Sequence, residues 1–216
     1  MSKGMSKAFV IGIVGAESTG KSRLAAELRD ALAAEGKTVA LVEEYLREFC
    51  DRLGRTPRRD EQQGIADEQT RRIAVAAEGH DIVVADTTAL MIAVYSHWVF
   101  DDRSLYGSAL QAHQRCDLTL LGALDIPWQP DGLQRDGAHV REPVDALLRS
   151  ALQAHGLPYA VTGGLGTARL AAARAATERA RGAPSAQAAA STSARWHGRC
   201  ERCGDVDCER HLLPRP

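Results

Sequence analysis

Residues 15–22 read Gly15-Ala-Glu-Ser-Thr-Gly20-Lys21-Ser22 and satisfy G-x-x-x-x-G-K-[ST] at every fixed position. They come directly after the apolar run Ala8–Val14 and open a helical stretch, Lys21–Glu35. No other feature constrains the fold as tightly. Such a loop works only where a buried strand aims it and a helix amino terminus completes it. The two glycines let the backbone wrap so that successive N–H groups converge on phosphate oxygens. In that frame Lys21 reaches the β- and γ-phosphates and Ser22 ligates Mg²⁺. Gly15, Glu17, Ser18, Thr19 and Gly20 complete the expected ATP-binding set.

The rest of the chain alternates short apolar runs with helical stretches, the pattern of a parallel sheet covered on both faces. The runs Phe9–Val14, Thr38–Val42, Asp81–Asp86, Asp117–Leu121 and Pro158–Thr162 lack clean alternation, as buried parallel strands do. Helices are expected after the phosphate loop and over Arg58–Glu78, Thr87–Phe100, Ser104–Arg115, Pro143–His155 and Thr167–Arg181. Residues 182–195 hold no large apolar side chain before Trp196 and read as a flexible linker. The expected organisation is therefore a domain over 1–181, a linker over 182–195 and a cysteine-rich tail over 196–216.

Of the 216 residues, acids and bases nearly cancel, leaving a formal net charge of −1. That provides no basic footprint for nucleic acid. Ala8–Val14 is too short to span a bilayer, and no cleavage site comes after it, so neither a membrane span nor a signal peptide is expected. Among five cysteines, Cys50 and Cys116 stand alone, whereas Cys200, Cys203 and Cys208 crowd the end. Without an export signal, reduced thiols or a metal site are expected, in a cytoplasmic setting.

In open α/β sheets the ligand lies beyond the carboxyl ends of the strands. The second strand ends in Glu43-Glu44-Tyr45-Leu-Arg47-Glu48, and the third in Asp86-Thr87-Thr88. Asp86 has the form of a Walker B acid for Mg²⁺, the alternative being a cap on the next helix. Arg47 with Glu48 has a second reading as a structural ion pair. The fourth strand leads into no Asn-Lys-x-Asp guanine signature. It leads instead into Asp125-Ile-Pro127-Trp128-Gln-Pro-Asp131-Gly132-Leu-Gln134-Arg135, with Arg141 and Glu142 beyond. Small kinases use such a segment as a lid that carries arginines to the phosphates; otherwise it is a solvated loop.

The phosphate loop, the Glu43-Glu44-Tyr45-x-Arg47-Glu48 run, Asp86-Thr87-Thr88 and Pro127-Trp128-x-x-Asp131-Gly132 together resemble the nicotinamide riboside kinase domain of NadR-type proteins, within the AAA_28-like P-loop ATPases. The resemblance spans residues 8 to about 175. It implies an α/β, P-loop nucleoside-kinase-like three-layer fold with a five-stranded parallel sheet. It also implies ATP-dependent phosphorylation of the ribosyl 5′-hydroxyl to give nicotinamide mononucleotide. The adenylyltransferase and repressor domains that precede this module in some relatives are not expected before a loop at residue 15. One departure stands out: the lid arginine of Asp-Gly-x-Arg falls on Gln134 here, leaving Arg135 or Arg141.

On this reading Lys21, Asp86, Glu44, Arg135 and Arg141 are the catalytic candidates. Glu43, Tyr45, Trp98 and Trp128 are the substrate candidates, because a carboxylate or aromatic face would recognise a cationic pyridinium ring. Trp98 has a second reading as core, sharing helical spacing with Tyr95 and Val99. His97 reads as a surface or packing histidine. The tail Cys200-x-x-Cys203-x-x-x-x-Cys208-x-x-His211 has the composition of a structural Zn²⁺ set, the alternative being a free, redox-sensitive tail. Two further function classes stay open: a regulatory ATP-binding switch acting through a partner, and a kinase for another nucleoside. Small-molecule partners are expected and nucleic acid is not.

Overall fold

A computed structural model describes residues 7–129 and 137–182. Arg135, Asp131, the linker and the tail with Cys200, Cys203, Cys208 and His211 lie outside these residues. The described elements run β1 (Phe9–Val14), α1 (Lys21–Ala34), β2 (Val39–Val42), α2 (Tyr45–Leu53), α3 (Gln62–Gly79) and β3 (Ile82–Asp86). They continue with α4 (Ala89–Phe100), α5 (Tyr106–His113), β4 (Leu118–Gly122), α6 (Arg141–Ala154), β5 (Ala160–Thr162) and α7 (Gly166–Gly182).

The five strands form one all-parallel sheet in the order β2-β3-β1-β4-β5. β1 lies at the centre, with Ile13 opposite Asp86 on one side and Val14 opposite Leu121 on the other. Its side chains alternate between the two faces, and both faces are apolar. Ile11 and Ile13 pack with Leu24, Leu28 and Leu32 of α1 and Ala173 and Ala176 of α7. Val14 packs the other way, with Leu90 and Val94 of α4 and Val144 and Leu148 of α6. This is the α/β three-layer fold expected from the strand pattern. The chain crosses from β1 past β3 to reach β2, so the switch in strand order falls between the carboxyl ends of β1 and β3. The phosphate loop and Asp86 sit there.

All five expected strands form, each within two residues of its expected limits. One helix departs from the expected pattern. Tyr45–Leu53 is helical and buries Phe49 and Cys50, with Glu48 in its first turn and Arg52 in its last, as the helix dipole favours. Gly54 ends it at φ 64°, its N–H donating to the Cys50 carbonyl at 2.8 Å. Glycine suits that left-handed position because it has no Cβ to clash.

Candidate active site

Two cavities meet at the phosphate loop. The larger, about 820 Å³, is lined by Ser18–Arg23, Glu43, Glu44, Arg47, Arg72 and Asp86, among others. The smaller, about 430 Å³, is lined mainly by α4 side chains Met91, Ile92, Tyr95, Val99 and Phe100, by Arg58, Arg59 and Gln62, and by Thr87. Ser18, Lys21, Glu44 and Arg47 line both. One cavity is therefore polar and phosphate-facing, and the other is mostly apolar and opens onto it.

The loop is braced from within. Thr19 Oγ1 donates to the Ala16 carbonyl at 2.8 Å, and Lys21 Nζ donates to the same carbonyl at 3.0 Å. Gly15 has φ 149°, and a Cβ there would approach Thr19 Oγ1 to 3.1 Å and Gly122 N to 3.2 Å. Gly20 caps α1 at φ 71° and leaves the helix amino terminus open. Ser18 lies at φ 54°, an uncommon place for a residue with a Cβ.

Glu17 does not face the phosphate cradle as expected. It is 6 % exposed, and its Oε1 accepts both Trp128 Nε1 at 2.8 Å and the Gly137 N–H at 3.1 Å. Gln129 N–H donates to Ser18 Oγ at 2.9 Å. The loop thus holds the two described flanks of the segment between residues 129 and 137. Trp128, expected to meet substrate, is spent on this tether and lines neither cavity.

Three acidic candidates separate clearly. Glu43 is exposed at the rim of the larger cavity. Glu44 is inside, its pKa raised above the usual carboxylate value chiefly by burial, with Lys21 pulling the other way and Asp86 reinforcing the rise. Arg47 Nε donates to Glu44 Oε2 at 3.1 Å. Asp86 ends β3 at 4 % exposure, and its buried Oδ1 accepts no hydrogen bond from the described residues. A carboxylate oxygen left so, in the cavity that also holds Ser22, fits a hard divalent cation whose remaining ligands are phosphate oxygens and water. Ser22 and Asp86 are the residues that would hold Mg²⁺.

Several expectations are corrected by the geometry. The Arg47–Glu48 pair does not form: Arg47 pairs with Glu44, and Glu48 accepts Arg72 Nη1 at 2.6 Å. Tyr45 does not line either cavity; its ring stacks under the Arg72 guanidinium, 4.4 Å from the centroid. Trp98 is neither core nor site, being 40 % exposed and outside both cavities. His97 needs no correction: it packs as expected, its Nδ1 lying 3.2 Å from the Tyr106 hydroxyl. Arg141 opens α6 at 8 % exposure and lines neither cavity; its Nε and Nη2 are buried and unpartnered among the described residues.

Other residues of the site carry weak sequence signals or none. Gln69 of α3 is fully buried and accepts the Tyr45 N–H at 2.8 Å, while its Nε2 donates to the carbonyls of Thr87 at 3.2 Å and Glu43 at 3.4 Å. It thereby ties the exits of β2 and β3 together. Thr87 is held at φ 75° between that bond and its own N–H to the Ile13 carbonyl at 3.1 Å. A β-branched residue rarely adopts this conformation, and such strain concentrates at ligand sites. Tyr95 was legible only through its helical spacing; its hydroxyl accepts the Glu17 N–H at 3.1 Å.

Among the described residues no group of three or more His, Cys, Asp or Glu side chains could hold a metal by itself. No helix among them is long and apolar enough to cross a membrane.

The AAA domain family model AAA_28 matches residues 10–169, well over half of the chain. No curated protein matches. A solved structure of NadR protein in complex with NAD and AMP-PNP superposes with a TM-score of 0.65 at 20 % identity, over 82 % of this chain and 50 % of that one. NadR protein in complex with NR gives 0.65 and 20 %, over 82 % and 52 %. Thymidylate kinase from Ehrlichia chaffeensis gives 0.57 and 12 %, over 81 % of this chain and 100 % of that one. The chain spans about half the length of the NadR structures, and at these identities the likeness is one of fold. With the loop, the strand order and the family match agreeing, the chain belongs to the AAA_28 family of AAA domains, as a P-loop nucleotide-binding domain of kinase-like architecture.

Proposed function

We propose that this domain is an ATP-dependent small-molecule kinase whose acceptor is the 5′-hydroxyl of nicotinamide riboside, with nicotinamide mononucleotide as product. The observation that carries the kinase reading is the pair of cavities meeting at Lys21 and Glu44. A switch that only bound nucleotide would need no apolar chamber opening onto its phosphates. The fold shared with a NadR structure in complex with NR supports the choice of acceptor. So do the Tyr95 and Phe100 rings along the smaller cavity, whose faces suit a cationic ring.

In this mechanism the loop amides and Lys21 hold the triphosphate, and Ser22 and Asp86 would hold Mg²⁺, which would neutralise phosphate charge. The acceptor oxygen forms its bond to the γ-phosphorus as the bond to the β–γ bridging oxygen breaks, releasing ADP. Glu44 takes the hydroxyl proton; a carboxylate whose pKa is raised towards neutrality is the better base. Arg135 or Arg141 supplies donors to the charge that spreads over the transferred group, although Arg141 lines neither cavity. The domain of this kinase spans 1–181. Cys200, Cys203, Cys208 and His211 have the composition that would hold a structural Zn²⁺, so metal analysis of the purified chain should find one zinc per chain.

A second reading has one observation in its favour. Arg58 and Arg59 line the smaller cavity and suit an acceptor that already carries a phosphate, although Arg59 is paired with Asp102 at 3.1 Å. The deciding experiment is ATP consumption against a panel of nucleosides and nucleoside monophosphates, with Lys21→Ala as control. A Lys21-dependent response to nicotinamide riboside, with mononucleotide formed, is expected. Tight ATP binding with no response to any acceptor would favour the switch reading.

A further inference from the structure

One buried cation takes no part in the acceptor chemistry or in the loop's own bracing. Arg169 lies in the first turn of α7, far along the chain from the phosphate loop, and is 5 % exposed. Its Nε, Nη1 and Nη2 are all buried and have no hydrogen-bond partner among the described residues. The guanidinium lies against two glycines. A Cβ on Gly122, at the end of β4, would come within 3.2 Å of Nη2, and one on Gly20 within 3.8 Å of Nη1. Gly20 is the N-cap of α1, so Nη1 lies beside the start of that helix, although Arg169 lines neither cavity.

This placement is unfavourable for the side chain by itself. Burial disfavours the charged guanidinium, while the carboxylates of Asp125 and Glu27 favour it without bonding to it. An arginine nevertheless stays charged. Five N–H bonds without acceptors among the described residues, near the positive end of a helix dipole, put two features of one sign close together. Each calls for an anion with several acceptor oxygens. A carboxylate in the fold could have served both, and the described residues supply none within bonding distance.

We propose that Arg169 is a further anchor for the donor nucleotide, its guanidinium bonding phosphate oxygens of the triphosphate across Gly20. This rests on the donor-site half of the proposed kinase function and is independent of the acceptor. The glycines at 20 and 122 form the slot that lets a guanidinium from α7 reach the loop. Arg169 thus brings α7, after the last strand, into contact with the ligand held by the loop after the first.

The test is calorimetric titration of the full chain with ATP and, separately, with inorganic tripolyphosphate, which has neither base nor sugar. Arg169→Met keeps the length of the stem and removes the charge; Arg169→Lys keeps the charge without the fork. Arg169→Met should weaken both ligands by about 10- to 100-fold, and Arg169→Lys by less. The ligand-free melting temperature of Arg169→Met should be unchanged or higher, because a buried unpaired charge has gone. Weakened ATP with unchanged tripolyphosphate would overturn the phosphate assignment in favour of base or sugar. Unchanged binding of both, with or without a lowered ligand-free melting temperature, would overturn the ligand role. The two proposals separate cleanly: a folded wild type that binds neither ligand sinks the donor site itself. Binding lost in Lys21→Ala but kept in Arg169→Met sinks only Arg169.

Discussion

Glu44 and His113 show how burial sets the chemistry of a side chain, chiefly for the first and by itself for the second. Glu44 has its pKa raised by burial, so the folded chain holds that proton more tightly than the unfolded chain does. Between the usual value of 4.5 and the raised one, stability therefore falls as pH rises. Glu44→Gln should raise the ligand-free melting temperature at about pH 7, and the gain should fade below the usual carboxylate value. The same substitution should lower kcat by about 10²- to 10⁴-fold if Glu44 is the base. In the wild type kcat should fall as pH drops through the raised pKa, a limb that Glu44→Gln lacks. His113 works the opposite way. It is 2 % exposed, lies 2.9 Å from both Thr88 Oγ1 and Thr119 Oγ1, and burial lowers its pKa to about 4. Below pH 6.5 the unfolded chain gains a proton that the folded chain refuses, so stability should fall from pH 6.5 towards about pH 4. Melting curves of His113→Gln should show a flatter dependence across that window.

At the level of elements, the connection between the phosphate loop and the flanks at Trp128 and Gly137 is the least expected feature. Removing the shared acceptor with Glu17→Ala should cost about 2 kcal/mol, since hydrogen bonds to a charged group are the stronger kind. A urea unfolding midpoint would measure it. ATP affinity should change little, because the Glu17 side chain points at the flanks and away from the phosphates. Phe49→Ala should cost about 3 kcal/mol by opening a cavity beneath α2, read from the same unfolding curves. That helix was illegible in the sequence for a physical reason. Its two buried side chains stand among charges that a linear reading assigns to the rim of a strand. The charges are there because α2 lies on the rim and pairs outward through Glu48 and Arg72. Tyr45 and Trp128 were misplaced by similar logic. Proximity to a strand end puts an aromatic ring near the site, but only packing decides whether it faces in.

For the molecule as a whole, the sheet was legible because a strand buried on both faces leaves an apolar run that nothing else explains, as in Phe9–Val14 and Ile82–Asp86. The phosphate loop was legible because its chemistry needs fixed residues at fixed spacing. Gln69 was not, since it ties the exits of β2 and β3 from an element distant in sequence and belongs to no motif. The strand order has a consequence for how such a chain is made. β1 is the central strand, yet its neighbours are β3 and β4, with Phe9 opposite Ile82 and Ile11 opposite Leu118. As the ribosome releases the chain, β1 emerges with no partner, and most of the domain must be made before both its edges are covered. Until then an apolar strand that flanks the ligand loop stays open to mispairing, and a chaperone that shields nascent apolar segments would have its greatest effect there.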